Sequence, residues 1–376
     1  MNWTLKTLAV TGAIGAMAAF STQAQVVHAQ DGSAPIRLEN SQTMTLTTAE
    51  YWTAERLAGA QPMRVNTNFA AESFAEPAAA GTPRYAPFGR PAAGVKPETR
   101  QLFDPANVKI DAEEGIAPDN AGTFNAHFSS TRLVPTSANT AYPYRTVGKL
   151  FFSDGASNFV CSASVISYRV VVTAGHCVHR GSGGSAGFYR NFLFVPALIN
   201  GTAPFGTWNW AFVTVTGTWA SGGGIVPNAA DYAMFEFGDR AALPNRIGSV
   251  TGFLGWRTLS LNPNHTTMLG YPCNFDSCQQ MHQVSAGAFR NTSPNNVEYG
   301  SDARGGSSGG PWIQNFGAAS VGQSGGNNPG LNRVVAVTSY GYVSFDPKVQ
   351  GASVPDSRWV QLWNIVCGHR VGNCTP

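Results

Sequence analysis

The 376-residue chain is 43% hydrophobic and only 12% charged, with 42 glycines and 23 prolines. That is enough apolar material for a sizeable core, and it excludes an intrinsically disordered or collagen-like chain. The formal charge of +3 comes from basic residues that stand singly, which excludes a nucleic-acid footprint built on a basic cluster.

At the N-terminus Lys6 precedes an apolar run from Leu8 to Phe20, and Ser21-Thr22-Gln23-Ala24 follows with small residues. This is the pattern of a secretory signal over residues 1–24, too short for a membrane span. Export to the cell exterior or periplasm is the expectation, with no membrane partner. Residues 25–132 carry 9 Lys/Arg against 12 Asp/Glu and are rich in Ala, Pro and Glu, as in the stretch 75–83. One helix is expected from Thr47 to Ala60, with Thr47 or Thr48 as N-cap and Glu50 in the first turn. Otherwise this leader reads as a weakly ordered pro-region. Its acidic balance, against 14 Lys/Arg and 9 Asp/Glu in residues 133–376, suits a segment that docks on its own catalytic region.

From Tyr144 onward short β-type runs are broken by Gly, Asn and Pro. Strands are expected at 147–152, 159–167, 170–174, 192–196, 210–219, 232–237, 247–254 and 266–271. Further ones are expected at 281–286, 296–299, 311–314 and 334–340. Trp359, Leu362, Trp363 and Val366 then fall at helical spacing behind Asp356, a suitable N-cap, so a helix is expected over 356–367.

The chemistry concentrates in two runs. Ser308 lies in Gly306-Ser307-Ser308-Gly309-Gly310-Pro311, and His176 lies 132 residues earlier in Thr173-Ala174-Gly175-His176-Cys177. A serine hydroxyl needs a neighbouring base, and the oxyanion it generates needs backbone N–H donors. His176 supplies the candidate base, since an imidazole is the side chain suited to proton transfer at physiological pH. Asp231, within the apolar run 230–237, is the candidate carboxylate, because a buried acid is costly unless paired. Asp239 also falls in the interval but reads as a turn residue. Six cysteines, Cys161, Cys177, Cys273, Cys278, Cys367 and Cys374, fit an oxidising destination as disulfides, and their spacing does not match a tetrahedral metal site. No cofactor and no metal are called for.

Those two runs, in the order His, Asp, Ser, resemble the chymotrypsin-like serine peptidases over about residues 133–376. Tyr299 to Pro311, Tyr142 to Leu150 and Gly270-Tyr271-Pro272 are similar to the bacterial branch typified by staphylococcal glutamyl endopeptidase. The resemblance implies an all-β fold of two antiparallel six-stranded barrels, about 140–240 and 245–355, with the C-terminal helix behind them. It implies a secreted, monomeric serine endopeptidase made as a zymogen, acting on protein or peptide substrates, with residues 133–376 as the peptidase domain. In it Ser308 is nucleophile, His176 base, Asp231 the orienting acid, and the N–H groups of Gly306 and Ser308 the oxyanion hole. It also implies a Cys161–Cys177 bridge, and a substrate-binding strand and pocket wall at Thr338, Ser339 and Gly341. Asp302, six residues before Ser308, would either lie open at the pocket floor and favour Arg or Lys, or be neutralised internally by Arg304. The histidine with which acid-specific members hold a substrate carboxylate is matched here by Thr338, so the resemblance does not imply a preference for Glu. Ser307 replaces the Asp that pairs with a liberated N-terminal amine in pancreatic-type enzymes. Two other readings share the fold: a catalytically silent secreted binding protein, and an esterase using the same triad.

Overall fold

The computed structural model describes residues 34–40, 47–67, 84–86, 89–92, 95–98, 100–110, 126–241, 243–261, 265–317, 330–342 and 348–376. The expected signal segment and the Ala/Pro-rich stretch 75–83 lie outside them.

Six strands make the first unit: β1 Val147–Ser153, β2 Asn158–Val165, β3 Val170–Thr173, β4 Arg190–Pro196, β5 Trp208–Val215 and β6 Ala233–Phe237. Their pairing runs β1-β2-β3-β6-β5-β4 and returns from β4 to β1, all antiparallel, so the sheet closes on itself. Closure removes the exposed edges that an open sheet would leave. Phe152, Phe192, Trp210 and Phe235 fill the interior. The Phe192 ring lies 4.8 Å from Phe235 and 5.2 Å from Trp210 in edge-on geometry that aromatic quadrupoles favour.

The second unit has β7 Thr266–Gly270, β8 His282–Ala286, β9 Ala288–Thr292, β10 Asn296–Gly300, β11 Pro311–Gln314, β12 Arg333–Val337, β13 Tyr340–Gly341 and β14 Val349–Ser353. Two of these strands are bent. β8 continues past Gly287 into β9, and β12 continues past Thr338-Ser339 into β13. Followed through the bends, the pairings make a circuit of six: β11-β7-β8/β9-β10-β14-β13/β12 and back to β11. The C-terminal helix spans Ser357–His369, with Asp356 accepting the N–H of Arg358 at 2.9 Å as its N-cap. It buries Trp359, Leu362 and Val366. The all-β architecture of chymotrypsin type and its terminal helix are therefore present.

Three expectations change. The run expected as a strand over 210–219 is a strand only to Val215, and Gly217–Ala220 is a short helix whose Trp219 N–H donates to the Thr216 hydroxyl. Residues 247–254 form a helix, Ile247–Thr251, and no strand. The Val/Ile content suggests a strand, but Gly248 is pressed against the backbone of Ser167 and Tyr168 and donates its N–H to the Tyr168 carbonyl. The expected helix 47–60 is two short ones, Thr48–Tyr51 and Ala54–Ala58, because Thr53 starts a second N-cap after Trp52 turns inward.

The described leader is also more ordered than its composition indicates. Ile36–Glu39 pairs with β5, and Gln61–Pro62 pairs in parallel with Phe159–Val160 of β2. Asn66–Thr67 pairs in parallel with Ile225–Val226, and Arg100–Gln101 pairs antiparallel with Thr202–Ala203. Trp52 is buried against Phe151 and donates Nε1 to the Asn191 carbonyl at 2.6 Å. The composition shift at Arg132 is no structural boundary: Phe128–Arg132 pairs with β8, Arg132 salt-bridges Asp276, and Leu133 is buried.

Lys149 of β1 lies inside the molecule, donating Nζ to the Cys278 carbonyl at 3.2 Å. Burial pushes its pKa down to about 7. The folded pKa lies below the unfolded value, so the charged amine penalises folding fully below pH 7, and the penalty fades toward pH 10.5. Lys149→Met is expected to raise the melting temperature at pH 6, with the gain shrinking steadily to pH 10. A gain independent of pH would contradict this assignment.

Candidate active site

His176 sits on the short turn Gly175–Cys177 that ends β3, and Cys177 is bridged to Cys161 of β2. The bridge closes a 16-residue separation, for which chain-entropy reasoning gives about 3 kcal/mol. Cys273–Cys278 and Cys367–Cys374 are also bridged. Asp231 stands just before β6 and is 0% exposed. Its Oδ2 accepts from His176 Nδ1 at 2.7 Å and from the Ser339 hydroxyl at 2.6 Å, while Oδ1 accepts the His176 backbone N–H at 2.8 Å. Three donors satisfy a carboxylate that would otherwise be costly to bury. They also fix the ring with its proton on Nδ1, so that Nε2 carries a free lone pair. Nε2 is buried and takes no hydrogen bond among the described residues. Trp219, which donates Nε1 to the His179 carbonyl, packs edge-on against the ring at 6.0 Å.

Ser308 lies in the turn between Ser301 and β11, 8% exposed, on the wall of a cavity of about 480 Å³. Two backbone conditions shape this turn. Gly306 has φ +92°, and a Cβ there would meet Cys273 Sγ and the Tyr271 carbonyl at 2.5 Å. Gly309 has φ +78° and is pressed against Thr173 and Ser162. Neither the Gly306 nor the Ser308 N–H has an acceptor among the described residues. Both donors therefore remain for an oxyanion.

Ser162 of β2, which sequence reasoning passed over, joins the two halves. Its N–H donates to the Ser308 carbonyl at 2.7 Å, and its hydroxyl donates to the Gly306 carbonyl at 2.9 Å. The same hydroxyl accepts the Tyr271 N–H at 2.9 Å, and its carbonyl accepts from Thr173 Oγ1 at 2.8 Å. The Gly306–Ser308 turn is thus tied to strand β2, which carries Cys161, and through Thr173 to the strand that leads into His176. No sequence signal marks Ser162 beyond its place after Cys161.

The other sequence-predicted residues divide. Thr338 and Gly341 line the cavity, and the N–H of Gly309 donates to the Thr338 carbonyl at 2.8 Å. Ser339 is fully buried and serves Asp231. Asp302 is not on the cavity wall. Its carbonyl accepts from Asn274, and its buried Oδ1 has no hydrogen-bond partner among the described residues. Arg304, two residues on, lines the cavity instead and donates to the Tyr342 carbonyl. Ser307 is held by neutral groups: Gln350 Nε2 donates to its hydroxyl at 2.7 Å, and that hydroxyl donates to the Arg304 carbonyl at 2.6 Å.

The wall behind Tyr340 and Tyr342 is pinned by Glu298, which is fully buried. Glu298 Oε1 accepts from both phenols, at 3.0 and 2.8 Å, and Oε2 from Arg290 at 2.6 Å. Burial, and then the Glu298 charge, raise the Tyr340 pKa well above the ordinary phenol value, so both rings stay neutral donors. No helix among the described residues is long and apolar enough to cross a membrane.

No family model matches the chain. A glutamyl endopeptidase of Bacillus licheniformis is 30% identical over 184 residues, covering 48% of this chain and 51% of that protein. The chain thus matches about half the length of this curated relative. Among solved structures, the protease Anisep from Arthrobacter nicotinovorans is 28% identical, with a TM-score of 0.48, over 59% of this chain and 94% of its own. The thermostable serine protease AL20 from an extremophilic microorganism is 26% identical, with a TM-score of 0.49, over 63% and 100%. In its motifs, in the closed first barrel and in its likeness to glutamyl endopeptidase, the chain resembles the chymotrypsin-like serine peptidases of the bacterial branch.

Proposed function

We propose that the chain is a secreted serine endopeptidase made as a precursor. The observation that carries this reading is the buried His176–Asp231 pair, with Nε2 unpartnered among the described residues beside the Ser308 turn, which is bonded to strand β2. Ser308 Oγ attacks the peptide carbonyl while His176 Nε2 takes its proton. The Gly306 and Ser308 N–H groups hold the oxyanion. The imidazolium, stabilised by Asp231, returns the proton to the leaving amine, and water then repeats the sequence on the acyl-enzyme. Three disulfides fit an exported protein. The leader would be the pro-region. Because Phe128–Arg132 belongs to the second barrel's sheet, the active form is expected to begin before Phe128, as N-terminal sequencing would read. A fluorophosphonate probe should label Ser308 stoichiometrically in that form, and absence of labelling would count against the reading.

The cavity carries the guanidinium of Arg304 and no carboxylate among its described lining residues. An acidic side chain entering the cavity would lie beside that guanidinium, and an Arg or Lys side chain would meet a like charge. The relative's description as a glutamyl endopeptidase points the same way. Assayed on peptides differing only in the residue before the scissile bond, Glu is expected to be preferred to Arg. Arg304→Gln should lower kcat/KM on the Glu peptide about tenfold to a hundredfold, the worth of a hydrogen bond to a charged group, while leaving an Ala peptide little changed. Undiminished turnover of the Glu peptide would remove Arg304 from recognition.

A further inference from the structure

The 480 Å³ cavity is lined on one side by residues of the leader. Met63, Arg64, Val65 and Thr67 face Ser308, Thr338 and Tyr340 across it. This stretch is fixed at both ends. Upstream, Gln61–Pro62 runs parallel to Phe159–Val160, Met63 donates its N–H to the Val160 carbonyl at 3.3 Å, and Leu57, Ala58 and Ala60 are buried. Downstream, Asn66–Thr67 runs parallel to Ile225–Val226. The segment therefore crosses the cleft from the β2 side to the loop that precedes Asp231.

Its polarity is informative. In a productive complex the residue before the scissile bond places its side chain in the cavity, and the acyl half lies along Tyr340–Gly341. The leaving amine must take its proton from His176 Nε2, so the half after the scissile bond departs toward β2 and the Cys161–Cys177 bridge. A substrate consequently runs, N to C, from the cavity toward Val160. The leader runs from Val160 toward the cavity. We propose that Gln61–Thr67 is an inhibitory strap, an extended peptide ligand of the cleft bound in the opposite sense to a substrate, which closes the site without offering it a peptide bond. This rests on the peptidase reading above. Because the strap is covalently tethered, its effective concentration is millimolar, so modest intrinsic affinity keeps the cleft closed. Activation then requires cutting the leader outside this segment or dislodging it.

The test uses the secreted full chain with its leader intact by mass, compared with M63G/R64G/V65G, which leaves both anchors in place. Turnover of a short peptide and amide hydrogen exchange at Phe159–Val160 and Tyr340–Gly341 are read together. The variant is expected to turn over at least about tenfold faster than the intact wild-type chain and to exchange faster at those amides. The leader should show no cut between Gln61 and Thr67 that Ser308→Ala abolishes. Equal turnover and equal exchange would overturn the strap while leaving the peptidase reading standing. A Ser308-dependent cut inside 61–67 would overturn the reversed polarity. Faster exchange in the variant with no turnover in either chain would sustain the strap and sink the peptidase reading.

Discussion

Ser308→Ala is expected to lower kcat by about 10⁶-fold with KM nearly unchanged, because the attacking oxygen is gone while the cavity and the oxyanion donors stay. The substitution should be structurally mild. The bonds that hold the turn run through the Ser308 carbonyl, the Gly306 carbonyl and the Gly309 N–H, and none uses the hydroxyl. The melting temperature should therefore stay close to that of the parent chain, and fluorophosphonate labelling should disappear. Residual activity within about a hundredfold of the parent would show that another residue attacks the substrate, and an unfolded variant would show that the hydroxyl is structural.

Asp231→Asn should come close to that effect, with about a 10⁴-fold fall in kcat, for a different reason. The carboxylate accepts three hydrogen bonds. An amide in its place presents one NH₂ that must face a donor. Turned toward His176, it favours the tautomer whose proton sits on Nε2, where the base is needed. Turned toward the backbone N–H, it breaks that bond and loosens the turn. The first outcome leaves the near-ultraviolet circular dichroism intact, and the second does not. A variant retaining most of its activity would mean that the 2.7 Å contact plays no part in proton transfer.

The site was legible to the extent that its chemistry is local. Glycines flanking a nucleophile, and a histidine beside a bridged cysteine, are properties of five or six consecutive residues. The order His176, Asp231, Ser308 narrowed the fold. Asp231 was harder, and was read from burial cost alone. The pocket was legible in its strand wall, at Thr338 and Gly341, and not in its charged group: Asp302 and Arg304 are two residues apart, and only Arg304 lines the cavity. The leader failed for a related reason. Its strands at 61–62 and 66–67 are two residues long, too short for any alternation, and they owe their order to partners distant in sequence, Phe159–Val160 and Ile225–Val226. The 247–251 helix was misread because a close approach by Gly248 outweighed β-branched propensity.

Ser162 carries a consequence for how such a molecule can change over time. One residue serves the nucleophile turn, the oxyanion turn and the strand before the histidine simultaneously, with its side chain and both backbone groups engaged. A substitution there is judged by all three at once, so no neutral path leads away from it. Arg304 and Gln350 answer to fewer masters. New appetites for substrate are therefore open to drift at the cavity wall, while the seam between the barrels stays frozen.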